Sequence, residues 1–197
     1  MYAVLRVVVI FIYKILYNLS YEGKDNIPRQ GGYIFASNHR GYADPVLLSL
    51  PVPKRFAYMA KEELFKNPFF SVLIRAFGAF PVSRGKGDLE VIDTAIGKLK
   101  SGKNLVIFPE GTRSYDGKVG RGKTGVALIA AKTGADVIPA AIVFEGRKLK
   151  FRSKVVVKYG KPIKAQELAI TGTSSSELKE LKAKIMGAIT ELAEGHS

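Results

Sequence analysis

The chain contains no cysteine, and only two of its 197 residues are histidine. The absence of cysteine excludes disulfide bonds, thiolate nucleophiles and cysteine-rich zinc sites. With one internal histidine, a metal site would need carboxylate ligands almost throughout, and we expect no metal cofactor. The imidazole of His39 is the evident proton acceptor near neutral pH, because His196 is next to the last residue.

Negative charge is also scarce. Lysine and arginine outnumber the acidic residues 31 to 17, and the formal net charge of +14 indicates an anionic partner, such as a membrane surface or a phosphorylated substrate. We expect no nucleic acid, because the charge spreads over nearly every segment without an RNA-binding, basic-zipper or zinc-finger pattern. With 47% hydrophobic residues, the chain can bury one full core.

The first nineteen residues predict an amphipathic helix. Apolar side chains from Val4 to Leu19 recur at helical spacing on one face, whereas Arg6 and Lys14 lie toward the other. Two internal cations are unfavourable in a segment that crosses a bilayer, and no small-residue cleavage site follows. We expect a helix that lies in the membrane interface; the alternative is an ordinary helix packed on the core.

The remainder alternates strand-like and helix-like segments. Short apolar or β-branched runs predict strands at 33–37, 56–59, 105–108, 137–144 and 154–159. Helical periodicity predicts helices at 45–50, 68–77, 88–100 and 124–133. Ser174 and Glu177 form a capping box for a last helix that runs to about Ala193. Alternation of this kind predicts an α/β fold with a mixed, largely parallel central sheet flanked by helices.

His39 follows the first of these strands and precedes Asp44 by five residues. Ligands bind at the carboxyl ends of strands in open α/β sheets, and Pro45 is a favourable first residue of a helix. A tight turn could fold Asp44 back onto the imidazole, fix its tautomer and leave the other ring nitrogen free to take a proton from a hydroxyl. The alternative is that Asp44 only caps the helix.

Four short sequence blocks follow one another along the chain. They are Asn38-His39-x4-Asp44, Gly78-Ala-Phe-Pro-Val-Ser-Arg84, Phe108-Pro-Glu-Gly-Thr-Arg-Ser114 and Val137-Ile-Pro-Ala140. This order resembles the four blocks of the glycerolipid acyltransferases, and the match is most similar to the bacterial 1-acylglycerol-3-phosphate acyltransferases. The resemblance extends from about residue 27 to about residue 162 and therefore covers most of the chain.

The resemblance implies a chemistry for the histidine. In this family His39 and Asp44 would form a catalytic dyad, with an acyl thioester of coenzyme A or acyl carrier protein as donor and lysophosphatidate as acceptor. Phosphatidate would be the product, and no cofactor other than the donor would be needed. Acyl transfer to an alcohol requires a base for the hydroxyl and cations for the substrate phosphate, which is consistent with these residues.

The same resemblance assigns binding roles to six further residues. Arg113 can bind a phosphate with two parallel hydrogen bonds, and Arg84 and Lys61 can add charge at the same end of the sheet. The predicted acceptor-binding residues are Glu110, Gly111 and Thr112. Gly111 also suits a turn that approaches a ligand closely. Glu110 has an alternative, structural interpretation, which is an ion pair with Arg113 or Lys61.

The resemblance also implies a location and a division of the chain. We expect residues 1–20 to be a membrane-associating helix and residues 21–197 an acyltransferase domain, held on the cytoplasmic face of the cell membrane without crossing it. Arg40-Gly41 follows His39 where many lysophosphatidate enzymes have Gln-Ser. Glycerol 3-phosphate or another lysolipid therefore stays open as the acceptor.

A competing motif covers residues 117–124. The segment Gly117-Lys-Val-Gly-Arg-Gly-Lys-Thr124 matches the phosphate loop of nucleotide hydrolases. Such a loop directly follows a buried strand, whereas here a polar segment that contains Pro109, Arg113 and Asp116 intervenes. The sequence therefore favours the acyltransferase interpretation, in which the segment is a basic loop near the acceptor.

Overall fold

The computed structural model describes residues 2–82, 88–165 and 174–195. The strands are β1 (Asn18–Glu22), β2 (Ile34–Ser37), β3 (Phe56–Lys61), β4 (Ala79–Val82), β5 (Asn104–Ile107), β6 (Val137–Phe144) and β7 (Lys154–Tyr159). The helices are α1 (Tyr2–Leu16), α2 (Asp44–Ser49), α3 (Pro68–Ala76), α4 (Asp88–Lys100), α5 (Gly125–Thr133) and α6 (Ser175–Glu194). Two single-turn 3-10 helices lie at Lys24–Asn26 and Glu62–Phe65.

The seven strands form one sheet in the order β1-β7-β6-β2-β5-β3-β4. Every neighbouring pair is parallel except β6 and β7, which are antiparallel. All residues of β2 and β5 are buried, as expected for central parallel strands covered on both faces. The predicted α/β fold with a mixed, largely parallel sheet is confirmed.

Helices cover both faces of the sheet. On one face α4, α5 and α6 pack against alternate strand residues such as Ile34 and Leu105. On the other face α1 and α2 lie over Phe35 and its neighbours. Ile185 and Ile189 of α6 are fully buried, and each such side chain contributes about 1.5 to 3 kcal/mol through burial. The two layers enclose the central strands of the sheet.

Three features at the edges of the sheet differ from the sequence prediction. The chain leaves α1 at Leu16, not Leu19, because the backbone N–H of Asn18 donates to the Ser153 carbonyl at 3.0 Å and begins β1. Strand β1 was missed because its apolar residues continue the helical spacing of α1. Strand β4 was missed because it contains Pro81, which edge strands tolerate.

The division of the chain at residue 20 falls inside β1, so residues on both sides of it belong to the sheet. Whether residues 1–20 act as a separate membrane element stays a prediction. The capping box of the last helix is confirmed, since Ser174 Oγ accepts from the Glu177 N–H and Glu177 Oε2 accepts from the Ser174 N–H at 3.1 Å.

Gly78 supplies a test of how tightly the edge strand is held. Its φ is +96°, and a Cβ atom there would fall on the carbonyl oxygen of Phe56. We expect Gly78→Ala to lower the free energy of unfolding, measured in urea, by at least about 2 kcal/mol through strain and overpacking. Gly97→Ala is the matched control, because Gly97 is in α4 with no heavy atom within 4 Å of the added Cβ.

The control variant should be more stable by up to about 1 kcal/mol, since alanine favours helix. Equal stability of the two variants would contradict this account of β4.

Candidate active site

Three parallel strands, β2, β5 and β3, lie side by side and end at the same edge of the sheet. The chain continues from β2 into His39 and from β5 into residues 108–114, while Lys61 is the last residue of β3. This arrangement brings the first and third sequence blocks together. It follows from the sheet order, because neighbouring parallel strands carry their carboxyl ends to one edge.

Asp44 folds back onto the imidazole of His39. Its Oδ2 lies 2.8 Å from His39 Nδ1 and also accepts the backbone N–H groups of Arg40, at 2.5 Å, and Gly41, at 2.7 Å. Asp44 is fully buried and is the first residue of α2, whereas Ala43 occupies the cap position without a side-chain hydrogen bond. The alternative that Asp44 only caps the helix is therefore wrong.

The imidazole is held in place from several directions. Phe108 stacks on it with ring centroids 4.1 Å apart. The His39 carbonyl accepts the Ser114 N–H at 2.7 Å, and the side chain stays 21% exposed. No hydrogen bond to Nε2 occurs within residues 2–82, 88–165 and 174–195, so this nitrogen is available to a substrate. Phe108 was not predicted as a positioning residue, because it is the last residue of an apolar run that predicts a strand.

Glu110 joins the dyad to the basic loop. Oε1 accepts the backbone N–H of His39 at 2.8 Å, and Oε2 accepts that of Gly120 at 2.9 Å. Burial raises the pKa of this carboxyl, and the two N–H donors partly oppose that rise. No ion pair with Arg113 or Lys61 forms in the described part of the chain, so that alternative is wrong. Contact with an acceptor hydroxyl stays a prediction.

Gly111 provides the turn that the sequence analysis expected. Its φ is +70°, and its N–H donates to the Phe108 carbonyl at 3.0 Å. Lys123 lies over it, with Nζ 3.3 Å from where a Cβ would be, and the Lys123 N–H donates to the Pro109 carbonyl at 2.8 Å. The basic loop therefore closes over the block that follows β5.

This closure also decides against the phosphate-loop motif. Residues 117–124 begin well after β5 ends at Ile107. The Gly120 N–H within the motif already binds a carboxylate, that of Glu110. A nucleotide phosphate loop needs its backbone N–H groups free at a strand end, so the nucleotide-hydrolase hypothesis is not supported.

Cations gather in an open cleft next to the block that follows β5, where Glu110 and Asp116 also contribute carboxylates. Arg113 and Thr112 line it together with Lys118 and Arg147. The guanidinium of Arg113 lies 3.9 Å from the ring centre of Tyr42, a contact that holds it at the edge of the cleft. Arg147 comes from the segment after β6. It was not predicted as a site residue, because no motif surrounds it in the sequence.

The other predicted phosphate ligands are placed differently. Lys61 is exposed at the end of β3 and is not among the residues that line this cleft. Arg84 lies outside the described residues. Phosphate binding by Lys61 and Arg84 therefore stays a prediction.

Asn38 and Arg40, on either side of His39, fasten the turn to β6. Asn38 Nδ2 donates to the Ile142 carbonyl at 3.1 Å, and its Oδ1 accepts the Ile142 N–H at 2.8 Å. The buried guanidinium of Arg40 donates to the carbonyls of Phe144 and Gly146, both at 2.7 Å. Arg40 therefore binds backbone here, and the identity of the acceptor stays a prediction.

An apolar cavity of about 400 Å³ lies between α1, α2, α3 and strands β3 and β4. Phe70 and Phe77 line it, as do Pro45 and Tyr13. Burial raises the pKa of Tyr13 to about 12, and the charges of Tyr17 and Asp44 contribute to the rise. Pro45, the residue after Asp44, lines the cavity, so the cavity adjoins the start of α2 next to the dyad.

Comparison with known proteins identifies the family. The acyltransferase family model matches residues 18–143, which include the dyad and the block after β5. The chain belongs to the acyltransferase family. Within this acyltransferase, the described residues hold no group of three or more histidine or acidic side chains that could bind a metal ion.

Relatives of this acyltransferase cover most of its length. The 1-acyl-sn-glycerol-3-phosphate acyltransferase of Streptococcus pneumoniae is 35% identical over 85% of this chain and 64% of its own length. The protein of that name from Bacillus subtilis is 32% identical over 82% of this chain and 87% of its own length. The chain therefore spans somewhat less than two thirds of the pneumococcal relative and most of the Bacillus one.

A solved structure shares the fold of this acyltransferase. The crystal structure of the 1-acyl-sn-glycerophosphate (LPA) acyltransferase PlsC from Thermotoga maritima superposes with a TM-score of 0.71 and is 31% identical. The match covers 93% of this chain and 75% of that one. The sheet and the helices on both of its faces are thus a fold found in an enzyme of this family.

Both carboxylate oxygens of Glu110 accept a backbone N–H. We therefore expect Glu110→Gln to change the stability of the fold in a pH-dependent way. The variant leaves a backbone N–H without an acceptor, which costs about 1 to 3 kcal/mol of stability. Because burial raises the folded pKa of Glu110, its protonated form favours folding. The stability that protonated Glu110 contributes is fully present below the pKa of this group in the unfolded chain, about 4.3. It is lost as the pH rises through the pKa of the group in the folded protein.

Urea unfolding from pH 4 upward should therefore show the advantage of the unmodified protein over the variant shrinking as the pH rises. Glu180→Gln, at an exposed site on α6, should show no such trend. A pH-independent difference for Glu110→Gln would contradict the burial effect.

Proposed function

We propose that this protein transfers an acyl group from a thioester to the sn-2 hydroxyl of 1-acylglycerol 3-phosphate and forms phosphatidate. The observation that carries the proposal is the His39–Asp44 pair, whose Nε2 has no hydrogen-bond partner among the described residues, together with Arg113 in the segment that follows the neighbouring strand β5. The printed activity of the relatives and of the Thermotoga enzyme supports the same reaction. It also agrees with the net charge of +14.

The reaction proceeds in two steps without an acyl-enzyme. His39 Nε2 takes the proton of the acceptor hydroxyl as its oxygen attacks the thioester carbonyl and forms a tetrahedral oxyanion. The carbon–sulfur bond then breaks, and the thiolate leaves and takes up the proton from the imidazolium. Asp44 holds the Nδ1–H tautomer and stabilises the imidazolium. Base catalysis of this kind contributes about 10²- to 10⁴-fold.

Two neighbouring sites suit the two substrates. Arg113, with Lys118 and Arg147 in the same cleft, binds the acceptor phosphate by charge-assisted hydrogen bonds, and Lys61 adds charge at the end of β3. Phosphate binding by Arg84 is part of the same proposal. The apolar cavity next to α2 receives the acyl chain, because most of the side chains that line it are apolar. Glu110, Gly111 and Thr112 flank the glycerol part of the acceptor.

Helix α1 places the enzyme at a membrane. Five large apolar side chains of α1 are exposed: Val7, Val8, Phe11, Ile12 and Ile15. Within the described residues, no helix has both the length and the hydropathy needed to cross a bilayer. The exposed apolar face of α1 lies in the membrane interface on the cytoplasmic side, where acyl-CoA and acyl carrier protein are both available as donors.

An activity assay tests the proposed reaction. The purified protein with lipid vesicles, lysophosphatidate and either acyl-CoA or acyl carrier protein thioester should release thiol and form phosphatidate without added metal. His39→Ala should lower kcat by about 10³-fold or more while its circular dichroism spectrum is unchanged. His196→Ala, at the only other histidine, should leave kcat unchanged.

A requirement for a metal ion, or turnover by His39→Ala at a similar rate, would contradict the mechanism. A preference for glycerol 3-phosphate over lysophosphatidate would leave the mechanism in place but show that the proposed acceptor is wrong.

The apolar cavity predicts a change in chain-length preference. Ala60 lines the cavity from β3, and Ala60→Phe should fill part of it. We expect kcat/KM for palmitoyl-CoA to fall about tenfold or more, with little change for octanoyl-CoA, since each excluded methylene weakens transition-state binding. Ala183→Phe, at an exposed site on α6, is the control. An equal loss with both donors would place the acyl chain elsewhere.

A further inference from the structure

The loop between β6 and β7, residues 145–153, combines an exposed aromatic ring with a cluster of cations. Phe151 is 72% exposed, and exposed apolar side chains that lie together mark an interaction surface. Four basic residues of the loop are exposed, and Glu145 is its only acidic residue. These are Arg147, Lys148, Lys150 and Arg152. The catalytic chemistry uses neither Phe151 nor the lysines.

Arg152 fastens this loop to the end of α1. Its φ of +60° is a left-handed conformation, and its N–H donates to the Leu16 carbonyl at 2.6 Å. Its guanidinium donates to the carbonyls of Lys14 and Ile15, at 3.3 and 3.5 Å. A cation on the last carbonyls of a helix is favourable. Phe151 therefore has a fixed place beside the last turn of α1.

Exposed apolar side chains also lie on α1, the helix whose last turn Arg152 binds. Ile15, in the last turn, and Phe11, one turn earlier, are 47% and 65% exposed. A groove between α1, β1 and β7 separates this apolar face from the sheet, and four basic side chains line it. They are Lys14, Lys24, Arg152 and Lys154. Apolar side chains next to cations are the pattern of a surface that meets anionic phospholipids.

We propose that the β6–β7 loop is a second bilayer contact, in which Phe151 enters the interface and Lys148, Lys150 and Lys154 bind anionic phospholipid headgroups. This proposal rests on the interfacial position of α1 given above. One helix alone leaves the molecule free to rotate about the helix axis. A second contact beside the helix end removes that freedom.

The loop also leads directly to the catalytic turn. The carbonyls of Phe144 and Gly146 at its base accept from the guanidinium of Arg40, the residue after His39. Arg147, the next residue, lines the cleft of Arg113. The loop therefore sets the position of His39 and of the phosphate cleft relative to the bilayer that holds the acceptor.

An acidic carrier protein is the other partner that these cations could bind. The exposed apolar residues of α1, and of the loop that binds its last turn, favour a bilayer, because a soluble carrier offers charge but no hydrocarbon layer. The two partners give different results in the experiment below.

The test measures binding of the full chain to two kinds of vesicle, phosphatidylcholine alone and an equimolar mixture with phosphatidylglycerol. Lys148→Glu/Lys150→Glu should weaken binding to the anionic vesicles about 30-fold or more and leave binding to neutral vesicles nearly unchanged. Phe151→Ser should weaken binding to both kinds about tenfold. Lys179→Glu/Lys184→Glu is the control with the same change in net charge.

The control residues are exposed on α6, which packs on the opposite face of the sheet from α1. We expect the control to change binding by no more than about threefold, through long-range charge alone. Unchanged vesicle binding in the loop variants would overturn the proposal. If those variants instead raised only the KM for acyl carrier protein thioester, the loop would be a carrier-protein surface.

Activity in detergent micelles that contain lysophosphatidate separates this proposal from the proposed reaction. The loop variants should keep the kcat of the unmodified protein there, because micelles need no oriented bilayer contact. Absence of activity in the unmodified protein would count against the proposed reaction. The vesicle binding data would then still show whether the loop contacts the bilayer.

Discussion

The catalytic turn depends on one carboxylate oxygen, Asp44 Oδ2, which accepts from His39 Nδ1 and from the backbone N–H groups of Arg40 and Gly41. The two backbone donors close the turn between β2 and α2, and the third donor is the ring itself. Asp44 is fully buried, so removing any of these donors would leave the carboxylate with one hydrogen bond fewer in the interior, at a cost in stability. The same contacts therefore determine the local fold and the orientation of the imidazole.

The two strands that flank β2 hold this turn in place. Toward β6, the side chains of Asn38 and Arg40 bind backbone groups of Ile142, Phe144 and Gly146. Toward β5, Glu110 binds the His39 N–H and the Ser114 N–H binds the His39 carbonyl. A base held through its backbone on both sides needs little reorganisation when the hydroxyl proton moves. The adjoining cleft and cavity are then fixed relative to Nε2.

Much of this arrangement could be predicted from sequence, and the remainder depends on contacts that sequence does not display. The sheet class, the dyad and the edge shared by His39 and Arg113 follow from strand patterning and block order. Edge strands β1 and β4 have weak or misleading sequence patterns. The apolar residues of β1 continue the helical spacing of α1, and β4 contains Pro81. The partners of Glu110 and Arg40 are backbone groups, which carry no residue-specific signal. Arg147 reaches the cleft only because β6 adjoins β2.

The central claim is that Asp44 fixes the His39 tautomer with the proton on Nδ1 and the lone pair on Nε2. Nitrogen-15 NMR of the imidazole tests this directly, since the chain has only two histidines and His196→Ala assigns the signals. The account predicts that the neutral ring of His39 has a protonated Nδ1 and an unprotonated Nε2, and that Asp44→Asn reduces this preference. A proton on Nε2 in the unmodified protein would contradict it.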